Sequence, residues 1–120
     1  MLRGEIWQLS LGNKKTPTGG ESRLVVILSN DALGVLPLRV VIPLTPWLER
    51  YNEAPWMVRI PPVLRSGLDE TQAADTLQIR SVSSSRLVKQ VGELPENMMD
   101  EIIRALNLVI QTGVAQGDAV

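Results

Sequence analysis

The sequence predicts a mainly β fold: a small barrel of about five to seven strands, closed or flanked by one C-terminal amphipathic α-helix. Three observations predict it. Up to Val91, short apolar runs alternate with turn-rich segments at regular spacing. From Pro95 the apolar period changes to that of a helix. The chain has 120 residues, which suits one core and is too few for two ordinary domains. Residues 1–120 are therefore read as a single domain, with 114–120 as a frayed tail.

The elements follow in order. Glu5–Leu11 places Trp7, Leu9 and Leu11 on one face of a first strand, with Ile6 on the other; Trp7 is expected in the core. Residues 12–22, GNKKTPTGGES, have turn and loop composition. Arg23–Leu28 is a buried strand after its first residue, and Asn30–Gly34 suits a single helical turn. Leu38–Leu44 is another buried strand; its Pro43 lacks a ladder donor and points to an edge or a bulge near the strand end. Thr45–Ala54 is expected to be irregular, Trp56–Ile60 a strand and Pro61–Glu70 a loop. Ala73–Val82 reads as one strand, with Gln78, Arg80 and Val82 on one face and Leu77, Ile79 and Ser81 on the other. Arg86–Val91 is the last strand. In the helix, Met99, Ile102, Ile103, Leu106, Val109 and Ile110 form an apolar stripe. Pro95 fits the first helical position, Glu96, Asp100 and Glu101 favour its N-terminal end, and Gly113 and Gly117 are stop signals.

Composition excludes several chemistries. Without cysteine there is no disulfide framework and no thiol chemistry. Without histidine there is no Ser–His–Asp arrangement, and the usual general base and zinc ligand are missing. No apolar run reaches the roughly eighteen residues of a membrane span. The N-terminus lacks the features of a signal peptide, so a cytoplasmic location is expected. The net charge of −1 neither requires nor forbids a nucleic-acid partner. Residues 1–60 carry seven Lys/Arg against five Asp/Glu, and 61–120 carry five against eight, so a basic face could form from the first half.

Five short motifs stand in a particular order: RGEIWQLSL at 3–11, G-x-E-S-R-x-V-V-I-L-S-N-D at 19–31, VVIPLT at 40–45, LQIRSVSSSRL at 77–87 and G-x-L-P-x-x-M-x-x-x-I at 92–102. The series resembles the MazF/PemK/Kid family of bacterial toxin endoribonucleases, over about Arg3 to Ile110. The resemblance implies an SH3-like barrel, a homodimer, and metal-independent, cofactor-free cleavage of single-stranded RNA. It also implies a small acidic antitoxin as partner. The family's catalytic arginine and threonine map to Arg23 and Thr45. Leu24 replaces the proline that usually follows the arginine, and Ser22 replaces a histidine found before it in some relatives. Leu77 stands where many relatives have an acid; the nearest acid is Asp75.

The chemistry explains an arginine at a strand lip. In RNA cleavage the ribose 2′-OH attacks its own phosphate, and charge gathers on the non-bridging oxygens. A guanidinium can hold two of them at once. Thr45 can donate to the same phosphate. Arg23 stays protonated and is a poor base; Glu21 and a bound water are both candidates. From spacing alone, the preferred reading of Arg23 is a strand-end residue paired with Glu21, and the resemblance reverses that preference. Lys14 and Lys15 are either solvated or grip the RNA backbone. Gln78 is a candidate for contact with splayed bases. Arg80 is a further candidate, or pairs with Asp75 or Glu5. Trp47 and Trp56 either stack bases or bury themselves under the loop between them. Two other functions fit the same fold. A CcdB-like gyrase poison would end its helix in Trp-Gly-Ile, which this chain, ending GDAV, does not. A non-catalytic SH3-like binding module would not need both Arg23 and Thr45.

Overall fold

The computed structural model describes residues 1–12 and 21–111. It contains β1 (Glu5–Ser10), β2 (Ser22–Ile27), β3 (Leu38–Pro46), β4 (Met57–Ile60), β5 (Gln72–Asp75), β6 (Arg80–Ser83), β7 (Leu87–Glu93) and helix α1 (Glu96–Ile110). Short 3-10 turns lie at Asp31–Leu33, Glu49–Glu53, Thr76–Gln78 and Ser84–Arg86. All strand pairings are antiparallel, in the order β4-β5-β3-β2-β1-β7, with β6 also on β3. This is the small seven-stranded β fold with a C-terminal helix that the sequence predicts.

β3 organises the sheet. One edge pairs with β2 through Val41–Pro43. The other edge serves two partners, β6 along Leu38–Val41 and β5 along Leu44–Pro46. Pro43 therefore lies inside a nine-residue strand, not near its end. The reason it is tolerated is visible in Val40. The Val40 carbonyl accepts from Leu28 N–H (2.8 Å), and its N–H donates to Ser29 Oγ (3.2 Å), both toward β2. Backbone groups alternate edges along a strand, so the Pro43 nitrogen faces the opposite edge. There it falls between the last β6 pair, Val41–Arg80, and the first β5 pair, Leu44–Ala74. No partner asks for the missing donor.

The same alternation sorts the side chains. Val26 and Leu28 join Ile6, Ile42, Leu44, Val58, Ile60, Met99, Ile102 and Leu106 in the main core. Val25 and Ile27 point the other way, into a smaller cluster with Leu9, Val41, Val82 and Leu87. A fully buried side chain such as Ile42 or Ile102 contributes about 1.5–3 kcal/mol relative to exposure. Trp7 is half-buried at the margin of the smaller cluster, not in its centre. Its indole N–H donates to Glu5 Oε1 at 2.9 Å. Burial raises the Glu5 pKa, but hydrogen bonds from Trp7 and from the Leu2 N–H, with the N-terminal ammonium, outweigh it and hold the carboxyl below its ordinary value.

In α1 the buried positions are Met98, Met99, Ile102, Ala105 and Leu106. The core ends at Leu106, so Ile110 of the expected stripe is exposed and Ile103 and Val109 are half-buried. Pro95 stands at the N-cap, one residue before the expected place, and its carbonyl accepts from Met98 and Met99 N–H.

Hydrogen bonding does not close the sheet: β4 and β7 end the ladder. The segment 61–71 bridges the gap. The Arg65 carbonyl accepts from Glu93 N–H at 2.9 Å, and the two side chains lie 3.6 Å apart as an ion pair. Gly67 has φ +72°, a conformation that L side chains rarely adopt, and runs against the Val91 backbone. At Gly92 the Ser66 carbonyl occupies the space a Cβ would need. Gly92→Ala is expected to lower stability by about 1–3 kcal/mol through overpacking of two backbones. Urea unfolding checks this; an unchanged midpoint would contradict the packing of 61–71 on β7.

Candidate active site

Arg23 is the second residue of β2 and stands opposite Leu9 of β1. Thr45 lies near the end of β3, opposite Ala73 of β5. The ladder of β2 with β3 pairs Val25 with Pro43. Extending that register by two residues brings Arg23 level with Thr45. Both share the face of Val25 and Pro43, which points away from α1. Residues level on adjacent antiparallel strands have Cα atoms roughly 4.5–5.5 Å apart. The paired ladder ends two residues earlier, at Val25 and Pro43, so Arg23 and Thr45 stand on one face where the two strands leave it. Both residues are half-buried, so their backbones are fixed while their polar tips stay reachable.

Glu21 is exposed, one residue before β2, and its backbone carbonyl accepts from Leu11 N–H at 3.0 Å. No ion pair joins Glu21 to Arg23, and among the described residues Arg23 has no carboxylate partner. The strand-end ion pair that the sequence left open is absent. Lys14 and Lys15 lie outside the described residues.

The predicted strand over Ala73–Val82 is broken in two. β5 stops at Asp75, and Thr76–Gln78 form a 3-10 turn before β6 starts at Arg80. Asp75 causes the break: its side chain accepts from Leu77 N–H at 3.1 Å, a local bond that competes with the ladder. Thr76, fully buried, donates through Oγ1 (2.7 Å) and N–H (3.3 Å) to the Trp56 carbonyl. Gln78 and Arg80 are thus not neighbours on one strand face. Gln78 is exposed on the turn, while Arg80 stands opposite Val41 at the start of β6. That register places Arg80 on the face of Arg23 and Thr45, across the gap beside Pro43. Arg80 forms no ion pair with Asp75 or Glu5. Asp75 is buried and holds the turn that presents Gln78.

Next to Thr45 the structure assembles a group that the sequence reading only half found. Trp47 continues the parity of Thr45, and its N–H donates to the Thr71 carbonyl at 3.1 Å. The Tyr51 ring meets Trp47 edge-on, with centroids 5.6 Å apart. The Arg59 guanidinium lies over Trp47 at 6.0 Å, and Arg50 lies over Tyr51 at 5.5 Å. Arg59 was not a candidate in the sequence. The signal was there: in WMVRI, Val58 and Ile60 are buried, which turns Met57 and Arg59 outward. Trp56 is half-buried, its carbonyl engaged with Thr76. On this face, then, stand Thr45 and the guanidiniums of Arg23, Arg80, Arg59 and Arg50, none of which forms an ion pair among the described residues. Such a face suits a polyanion with unstacked aromatic bases.

Residues 2–110 match the model of a family described as PemK-like, MazF-like toxins of type II toxin–antitoxin systems. Endoribonuclease MazF9 of Mycobacterium tuberculosis (strain ATCC 25618 / H37Rv) is 28% identical over 114 residues, covering 90% of this chain and 94% of that protein. A mycobacterial endoribonuclease solved in complex with its cognate antitoxin shares the fold, with TM-score 0.73 and 22% identity over 92% of this chain and 94% of that one. A MazE–MazF complex from Deinococcus radiodurans gives TM-score 0.72 and 25% identity over 92% and 95% of the two chains. With a family match spanning nearly its whole length, the chain belongs to the PemK-like, MazF-like toxins of type II toxin–antitoxin systems.

Proposed function

We propose that this toxin is an endoribonuclease that cuts single-stranded RNA, without a metal, at a phosphate held between Arg23 and Thr45. The observation that carries this reading is the register of β2 and β3, which, extended two residues past Val25 and Pro43, puts those two side chains on one open face. The name of the MazF9 relative supports the same activity.

The ribose 2′-oxygen attacks the adjacent phosphorus, and the bond from phosphorus to the 5′-oxygen breaks. The products are a 2′,3′-cyclic phosphate and a 5′-OH. Arg23 donates two charge-assisted hydrogen bonds to the non-bridging oxygens where negative charge accumulates. Thr45 donates its hydroxyl to the same group. The proton of the 2′-OH passes to Glu21 or to a bound water, and the departing 5′-oxygen takes up a proton from water. Gln78, on its turn, contacts an unstacked base, and Arg80 contacts backbone phosphate; Asp75 positions Gln78. Lys14 and Lys15 add sequence-independent attraction.

The partner is a small acidic antitoxin, whose carboxylates compete with RNA for the Arg23 face. Two solved relatives are toxin–antitoxin complexes. Residues 1–120 act as one domain in the cytoplasm. The chain pairs as a homodimer, and Met1, Leu2, Leu33, Val35, Leu36 and Leu38 form an exposed apolar patch that suits the contact. Val35, the most exposed at 91%, is placed for it. Sedimentation should show a dimer that Val35→Glu weakens; a monomeric wild type would refute the pairing.

The activity is tested with purified protein and a long unstructured RNA in EDTA. Discrete cuts ending in cyclic phosphate are expected. Arg23→Ala should lower kcat by about 10²–10³-fold, the usual cost of removing a preorganised oxyanion donor. Intact RNA with the wild type would reject the reading and turn attention to gyrase poisoning or simple binding.

A further inference from the structure

The row that joins Arg23 to Thr45 continues across the sheet. Thr45 stands opposite Ala73, and Ala73 stands opposite Arg59. Thr45, Ala73 and Arg59 therefore occupy one level on three adjacent strands, and Arg23 shares their face two residues past the last β2–β3 pair. Ala73 is fully buried and contributes only a methyl group, so nothing on β5 separates Thr45 from Arg59 by more than its bulk. Two strand spacings put Arg59 roughly 10 Å from Thr45. That is beyond a single phosphate and in range of the neighbouring nucleotide.

The surroundings of Arg59 distinguish it from an ordinary solvated surface arginine. Its guanidinium rests on the Trp47 ring and forms no ion pair among the described residues. Trp47 is held by the Thr71 carbonyl through its backbone and by the edge of Tyr51 through its ring. Trp47 is thus fixed at two points, and among the described residues no carboxylate lies within ion-pair distance of Arg59, although Glu101 of α1 lines the same surface pocket. Aromatic and guanidinium planes together bind successive nucleotides of a single strand by stacking and by charge.

We propose that Arg59 and Trp47 form a nucleotide subsite beside the scissile phosphate: Arg59 takes the neighbouring phosphate and Trp47 the base attached to it. The subsite rests on the ribonuclease reading and extends it from where the strand is cut to how it is held. It binds substrate and stays out of the bond-breaking step, so its loss acts on KM.

The test compares wild type, Arg59→Ala and Trp47→Phe on one RNA of defined cleavage site, across a salt series, with thermal melting to establish folding. Arg59→Ala should raise KM about tenfold with kcat nearly unchanged. It should also reduce the slope of log affinity against log salt by about 0.7, the value of one lost single-strand phosphate contact. Trp47→Phe, which keeps a smaller ring, should raise KM less and leave the salt slope as in wild type. Unchanged KM and salt slope in a folded Arg59→Ala protein would overturn the subsite while the ribonuclease stands. A fall in kcat at constant KM would also overturn it, because Arg59 would then serve the reaction itself. A wild type that cuts no RNA would remove the ribonuclease reading and the subsite together.

Discussion

The sheet depends on how β3 divides its hydrogen bonds. A strand with two partners on one edge must change from one to the other somewhere, and at that point its outward donors are unused. Pro43 occupies the point, where a proline costs nothing in the ladder. The change of partner has a geometric result. β6 leaves, β5 enters, and the connection between them, capped by Asp75, must bulge out at the same place. The gap beside Pro43 is thus flanked by Thr45 on one strand, by Arg80 on another and by the turn carrying Gln78. On the far edge, the register with β2 is paired as far as Val25 and Pro43, and Arg23 follows two residues beyond that last pair.

A rigid origin for these groups matters more than their number. Under the proposed reading the reaction supplies its own nucleophile, so the protein's contribution is to hold charge where charge develops. Donors on sheet strands need little reorganisation as the reaction proceeds, and preorganised donors are where most of such stabilisation comes from. The smaller apolar cluster beneath the site, with Val25, Ile27 and Val41 all within 1% of complete burial, fixes the two rails that carry Arg23 and Thr45. The helix packs its buried positions on the opposite face of the sheet, and at the β4 end its residues Glu101, Arg104 and Leu108 line a surface pocket together with Arg59.

Much of this was legible in the sequence because it rests on alternation. The buried strands, the helical period and the motif order carry the fold and point to Arg23 and Thr45. What was lost came from two competing effects. Alternating faces over Leu77–Val82 suggested a single strand through Ala73–Val82, but the side chain of Asp75 bonds a nearby backbone N–H, and local bonding of that kind leaves no trace in hydropathy. Arg59 was missed for a different reason. Its importance lies in a three-strand register that passes through Ala73, and register between distant strands cannot be read from spacing along the chain. The Gly92 and Gly67 contacts that seat 61–71 on β7 are of the same long-range kind.

The central claim is that Arg23 and Thr45 act on one phosphate because the β2–β3 register sets them side by side. A double-mutant cycle on RNA cleavage tests it most directly, with Arg23→Ala, Thr45→Ala and the pair compared through kcat/KM. Two donors on one group should be strongly coupled, so the double variant should lose far less than the sum of the single losses. Losses that simply add would contradict a shared phosphate and place the two residues at separate points of the substrate.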